Sequence, residues 1–384
     1  MVPFRELRRE LRSRNNYRRL DAEGKGYLSR FASLCLSIPD DEAICRAVKA
    51  RHPDLAAAPR GCLRTLAIFH DYNWERTALL PALESFGEVV HYDWRDRFDH
   101  GKKEWRKGLK EEMNRDLLGF ARTLLRERPA HVFFTYLSGE LVTPATMREL
   151  SALGVPIVNL SLNDKEAFTG RVREGLATGV RDICHSFDLC WTSTRDALEK
   201  YCVEGATPLY LPEGANPGVH RPYDVEKTID VSFVGQRYGN RPAVIDALRK
   251  AGIRVEAFGP GWPSGPLSTE EMVRMYSRSR VNLGFGGVAG HKDTHCLKGR
   301  DFEVPMSGGL YLTEAYEELE RFYEVGREIV TWSGVEDLVE KVRWLLSNPG
   351  EAEAIRRAGR RRALSEHTWE MRFDRVFRVI GVLA

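Results

Sequence analysis

From Leu63 to Thr331 the chain alternates short apolar runs with stretches of helical spacing, and this rhythm limits the fold more than any other feature. A short apolar run between turn residues reads as a buried strand, and a 3.6-residue repeat between such runs reads as a helix returning the chain over the sheet. Strand and helix in alternation imply a parallel sheet with right-handed crossovers. Strands are expected at Leu63–Phe69, Glu88–Asp93, His131–Tyr136, Pro156–Ser161, Asp188–Thr192 and Pro208–Leu211, with helices near 75–86, 107–128, 143–153 and 194–203. In the longest helix Leu109, Met113, Leu117, Ala121 and Leu124 form one apolar stripe to lay on a sheet.

A second series begins after Pro212-Glu-Gly-Ala-Asn-Pro-Gly218. Its expected strands are Ile229–Val234, Arg254–Phe258, Val281–Phe285, Leu310–Thr313 and Glu328–Thr331, separated by helices near 240–251, 268–278, 299–307 and 335–346. Helices at 350–364 and 368–381 follow without another strand. Two open α/β units joined by a Pro/Gly-rich linker imply a cleft lined by strand-to-helix loops, because ligands of such sheets bind beyond the carboxyl ends of the strands. The boundaries read as a helical extension over 1–60, α/β domains over 61–212 and 213–366, and a last helix over 367–384 crossing back to the first domain. In the extension Phe4, Leu7 and Leu11 share one face, and Tyr27, Phe31 and Leu34 another. The charged, aromatic stretch Asp93–Lys107 reads as an ordinary long surface loop first and a mobile acceptor loop second.

Composition narrows the class. The 384 residues leave room for two domains, and 42% hydrophobic with 29% charged residues is ordinary for a globular chain. A net charge of +3 is too small for wholesale nucleic-acid binding, so no nucleic-acid partner is expected. Charge is uneven, however: residues 1–20 contain Arg5, Arg8, Arg9, Arg12, Arg14, Arg18 and Arg19 against Glu6 and Glu10, either a solvated face or a contact for an anionic surface. Cysteines at 35, 45, 62, 184, 190, 202 and 296 form no C-x-x-C pair, which fits a reducing compartment. No apolar run follows the N-terminal arginines, and none reaches the ~18 residues of a membrane span. A cytoplasmic protein is expected, at most peripheral to the inner membrane face.

The chemistry gathers in the second series. Lys298 and Arg300 lie where a loop enters a helix, so their charges and the free N–H groups of its first turn favour an anion. Glu303 is one turn further, where a carboxylate can accept both hydrogen bonds of a ribose diol, and Gly308-Gly309 ends the helix. Gly235, Arg237 and Arg241 follow the first strand of this series: a glycine for close approach, two cationic forks and a helix start, suited to a diphosphate. Neither G-x-G-x-x-G nor a P-loop spacing is present. Gly284-Phe-Gly286-Gly287 opens a small-residue loop that admits sugar or phosphate, with His291, Lys292 and His295 as further donors. His291-x-x-x-His295-Cys296 lacks the additional ligands of a metal site, and no metal is expected.

Taken together, Lys298–Thr313, Tyr323-Glu-Val-Gly-Arg-Glu-Ile-Val-Thr-Trp332, Ser347-Asn-Pro349, Ala358-Gly359 and His367-Thr-Trp369 resemble the C-terminal half of spore-maturation CgeB-type glycosyltransferases. That family is similar to the retaining family-four enzymes of the GT-B superfamily. The resemblance covers about 225–375 and, more loosely, Tyr201–Pro222. It implies a GT-B fold of two Rossmann-like domains with a cleft between them, the C-terminal one holding a nucleotide-diphosphate sugar, a UDP-sugar first among donors, and no cofactor. Glu303 matches the ribose-binding glutamate. Gly235, Arg237 and Arg241 match the diphosphate loop, joined by Lys298 or Arg300. Glu213, Gly214 and Asn216 stand at the donor-side hinge, with Gly286 and Gly287 toward the donor sugar. The related enzymes carry a second glutamate eight positions before the ribose-binding one; this chain has His295.

The resemblance implies retention without a metal, with the acceptor proton passing to the departing phosphate. Inversion would need a base. His70 after the first strand is one candidate, with Asp71 beside it, and Asp164 after the fourth strand is another; with His295 they form the candidate catalytic set. The acceptor can be a protein, glycan, lipid or small molecule. The alternatives are a nucleotide-sugar epimerase, which needs no acceptor, and a non-catalytic nucleotide-sugar or carbohydrate-binding protein.

Overall fold

The computed structural model describes the backbone of residues 4–72, 74–288 and 294–384, with side chains from residue 15 onward except Asp96. His291 and Lys292 lie outside the described residues, as do the side chains of Arg5, Arg8, Arg9, Arg12 and Arg14. Two compact units emerge, one built on Arg18–Pro212 with Arg372–Ala384 and the other on Glu213–Met371.

In the first unit β1 (Leu63–Ile68), β2 (Gly87–Tyr92), β3 (Val132–Thr135) and β4 (Ile157–Ser161) precede a small hairpin, β5 (Val172–Arg173) with β6 (Leu176–Ala177). Strands β7 (Leu189–Thr192) and β8 (Pro208–Tyr210) complete it. The sheet runs β2-β1-β3-β4-β7-β8, every pair parallel. All six residues of β1 are buried, as expected of a central parallel strand covered on both faces. The helix Leu109–Glu127 buries Met113, Leu117, Ala121 and Leu124, the stripe legible in sequence. Because β1 lies between β2 and β3, the order in which successive strands are added reverses there, leaving a crevice at the carboxyl ends of β1 and β3.

Of the terminal segments, the chain from Arg18 onward and Arg372–Ala384 belong to the same unit, whereas the part before Arg18 groups with the other. Helices span Phe4–Ser33 and Asp41–Arg51, and Tyr27 of the first donates its hydroxyl to Glu204 at 2.7 Å while packing edge-on against Phe168. From the C-terminal helix Trp369–Val379, Phe373 packs against Phe134 and Trp191, and Arg372 donates to the Pro212 carbonyl. The stretch Asp93–Lys107, expected as a loop, contains two short 3-10 turns, Trp94–Asp96 and Lys103–Lys107. It is anchored by buried Trp94 and Trp105, the latter donating its indole N–H to the Glu140 carbonyl at 3.1 Å.

The second unit contains β9 (Ile229–Val234), β10 (Val255–Phe258), β11 (Ser279–Leu283), β12 (Tyr311–Glu314) and β13 (Val330–Trp332), again all parallel, in the order β10-β9-β11-β12-β13. Its core is built by Val231, Phe233, Leu283, Phe285 and Leu312 against helix residues such as Ile245, Leu248, Leu338 and Val342. The helix Thr269–Arg278 opens with a reciprocal capping box between Ser268 and Glu271. Here β9 lies between β10 and β11, so the loops after β9 and β11 flank the crevice of this sheet.

Candidate functional site

In the second unit the loop leaving β9 lies against the start of the helix Gly299–Met306. A Cβ on Gly235 would stand 2.8 Å from the Phe233 ring, which would have to shift, and 3.3 Å from the guanidinium of Arg300, which it would crowd. Arg300 has no carboxylate hydrogen-bonded to it among the described residues. Burial works against its charge, but Tyr276, Tyr311, Glu303 and Asp301 outweigh it and hold the guanidinium firmly protonated.

The two arginines of the β9 loop have different surroundings. Arg237 is exposed, lies 5.5 Å over the Trp262 ring, and among the described residues pairs with no acid. Arg241 is 3% exposed; it stacks 4.1 Å from the Tyr238 ring centre and donates to the Gln236 carbonyl and the Tyr238 hydroxyl. Burial lowers its pKa to about 10. Arg241 therefore braces the loop from within instead of offering its charge to solvent.

Lys298 is also engaged. Its ammonium donates to the carbonyls of Gly286 and Gly287 at 3.3 and 3.2 Å, which folds the glycine loop after β11 onto the helix start. Asp301, which the sequence did not single out, ties this corner together by accepting the Lys298 N–H and the hydroxyls of Tyr311 and Tyr316. Glu314 at the end of β12, equally unsuspected, accepts the N–H of Gly287 and the side-chain amide of Asn240, both at 3.0 Å. His295 stacks flat on Tyr316 and places Nε2 4.0 Å from the Glu314 carboxylate. The position filled by an acid in the resembled enzymes thus carries an imidazole facing one.

Glu303 meets a second carboxylate. A Cβ on Gly299 would lie 3.0 Å from Glu303 Oε1 and 3.2 Å from Glu213 Oε2, so both acids converge on the helix start. Glu213 is pushed up to about 8 by burial, then by Glu303 and Asp301, against the pull of Lys298 and Arg300. His220 brings Nε2 to 3.9 Å from Glu303; burial lowers its pKa although Glu303 opposes this, and its Nδ1 is buried without a partner among the described residues. Gly214 lies against Thr368 and Trp369, where Ala215 exchanges backbone hydrogen bonds with His367 and Trp369. Asn216 turns the chain by accepting the Gly218 N–H.

In the first unit His70 leaves the end of β1 with Nδ1 3.0 Å from both oxygens of Asp93. Asp93 also accepts the N–H groups of Asp71 and Arg95. Burial opposes ionisation of Asp93, yet these bonds and His70 outweigh it and hold the carboxyl below the usual range. The expected neighbour, Asp71, turns instead to Arg76. His70 lines a cavity of about 280 Å³ at the β1/β3 crevice, together with Tyr72, Trp94, Tyr136, Ser138 and Asn163. Asp164 plays another part: it is 1% exposed and accepts the hydroxyls of Ser161, Thr192 and Tyr201. Burial raises its pKa against those three bonds. It is a buried junction among β4, β7 and the helix Leu198–Val203.

Residues 241–378 match the family model described as Glycosyl transferase-like. No curated protein matches the chain in sequence. Among solved structures, the sucrose-phosphate synthase of Thermosynechococcus elongatus superposes with a TM-score of 0.58 at 10% identity, covering 82% of this chain and 98% of that one. A glycosyltransferase of Rickettsia africae superposes at 0.57 and 9% identity, covering 83% and 98%. Anabaena HepE, solved with UDP, superposes at 0.55 and 8% identity, covering 84% and 100%. At such identities the likeness speaks to architecture, and together with the two parallel sheets it gives the chain the GT-B fold of two Rossmann-like domains.

Proposed function

We propose that the chain is a glycosyltransferase that moves a hexose from a nucleotide-diphosphate sugar to an acceptor hydroxyl, with retention and without a metal. The observation that carries this reading is the guanidinium of Arg300 seated over Gly235 at a helix start, with Glu303 one turn further. Diphosphate oxygens beside Arg300 and Arg237 would meet two cations and the first-turn N–H groups, while Glu303 would accept the ribose diol. HepE binds UDP and, in another complex, UDP-glucose, which supports a UDP-sugar as donor here.

In the transfer, a bond forms from the acceptor oxygen to the anomeric carbon as the bond from that carbon to the diphosphate oxygen breaks. Its electron pair leaves with the diphosphate. The cations offset the charge that develops there. With retention, the acceptor proton passes to the departing phosphate. The His70–Asp93 pair favours a second reading, inversion, in which the imidazole takes that proton. No helix among the described residues is long and apolar enough to cross a membrane; a cytoplasmic location, with the N-terminal arginines touching an anionic surface, completes the proposal.

The test is a thermal-shift screen with nucleoside diphosphates, followed by turnover of the matching nucleotide sugar and anomeric NMR of the product. UDP should raise the melting temperature by mass action. Absence of a shift with every nucleoside diphosphate would remove the donor site. Conversion of the donor with no acceptor present would favour an epimerase.

A further inference from the structure

The cavity at the β1/β3 crevice of the first unit has a distinctive lining. His70, Tyr72, Trp94 and Tyr136 bring four aromatic rings to it, and Leu137, Leu141 and Val180 add apolar surface. Among the described residues that line it there is neither lysine nor arginine, and Glu75 brings the one carboxylate, already accepting the N–H groups of Tyr72 and Trp74. An anionic group placed there would meet a carboxylate and, among the described lining residues, neither a lysine nor an arginine. Phosphate and carboxylate sites instead collect arginine, lysine or helix N-termini.

The polar groups left over suit hydroxyls. His70 commits Nδ1 to Asp93, so its Nε2 has no partner among the described residues. The side chains of Ser138 and Asn163 make no hydrogen bond among the described residues. The indole N–H of Trp94 is sealed within the wall, with no acceptor among the described residues.

We infer that this cavity holds the transferase acceptor as a single neutral pyranose ring, with one hydroxyl against His70 Nε2. A pyranose presents apolar C–H faces, which aromatic walls cover, and a rim of hydroxyls, which Ser138, Asn163 and His70 meet as donors and acceptors. At about 280 Å³ the space is just below the range of drug-sized ligand pockets, so one ring enters and a longer glycan continues outside. The inference rests on the transferase reading and names its acceptor class.

The experiment uses the full chain. Neutral methyl pyranosides in the gluco, galacto, manno and N-acetylgluco series are titrated by calorimetry and saturation-transfer NMR beside glucose 6-phosphate and glucuronic acid, and UDP is titrated on the same samples. At least one neutral glycoside should bind ten times more tightly than the anionic sugars. Tyr136→Ala and Asn163→Ala should weaken it about tenfold with UDP affinity unchanged; Asn163 is exposed, so that variant keeps its fold. Equal or tighter binding of the anionic sugars, or glycoside affinity unmoved by both substitutions, overturns the inference. UDP binding without glycoside binding overturns the inference and leaves the transferase reading standing. Glycoside binding without UDP binding overturns that reading instead.

Discussion

The guanidinium of Arg300 lies 3.3 Å from the point where a Cβ on Gly235 would stand. Gly235→Ala must therefore move the Phe233 ring, which would be only 2.8 Å away, and press on the cation as well. Overpacking of this kind costs about 1–3 kcal/mol. The variant should lose stability in urea titration and bind UDP at least tenfold more weakly by calorimetry. Undiminished UDP affinity would separate Arg300 from the donor.

Arg237 and Arg241 are four positions apart and should respond in opposite ways. Arg237→Ala removes an exposed cation, so UDP affinity should fall about tenfold with the melting temperature unchanged. Arg241→Ala strips a 3% exposed side chain from between Tyr238, Phe233 and Phe285. Loss of that packing should lower the melting temperature by several degrees. A reversed pattern in differential scanning calorimetry would exchange their roles.

Glu213 makes stability depend on pH. Its folded pKa of about 8 is above its ordinary 4.5, so between these values the native state keeps a proton that the unfolded chain has lost. Stability from this group is therefore complete below about pH 4.5 and falls as pH rises toward 8. Glu213→Gln mimics the protonated acid and should melt with the parent at pH 5 yet several degrees above it at pH 8. Parallel melting curves across this range would show that the acid is ionised in the folded protein.

His70 decides between the stereochemical readings. With retention, His70→Asn should keep kcat within about tenfold and mainly raise the KM of the acceptor, and NMR should show the donor's anomeric configuration in the product. An inverted product, with a kcat loss of roughly a hundredfold or more, would make the imidazole the base.

Asp164→Ala should act on stability alone. Three hydroxyls, of Ser161, Thr192 and Tyr201, would be stranded in the interior, at roughly 1–3 kcal/mol for a lost partner. Urea unfolding should shift strongly while calorimetry shows unchanged UDP affinity. A variant of normal stability would return Asp164 to the candidate bases.

Much of the architecture was legible because its determinants are local. The six apolar-flanked positions of β1, the stripe of Leu109–Glu127 and the glycine stop at Gly308, φ +70°, each lie within one stretch of chain. The hairpin β5–β6 was missed since two-residue strands carry no periodicity. Candidate site residues could be picked out where one sequence window contained both a cation and a helix start, as at Lys298–Glu303. Their partners could not.

By itself, the sequence determined two parallel α/β sheets and the strand-to-helix loops that would hold polar chemistry. Periodicity and turn residues act over a few positions, so they can be read directly. Only tertiary structure decided that Asp93 and not Asp71 holds His70, that Arg241 turns inward while Arg237 stays out, and that Glu213 joins Glu303. Those pairings join residues from different loops, or depend on which face of a loop is covered. Such facts arise from the packing of distant segments, and burial then sets the protonation of Glu213.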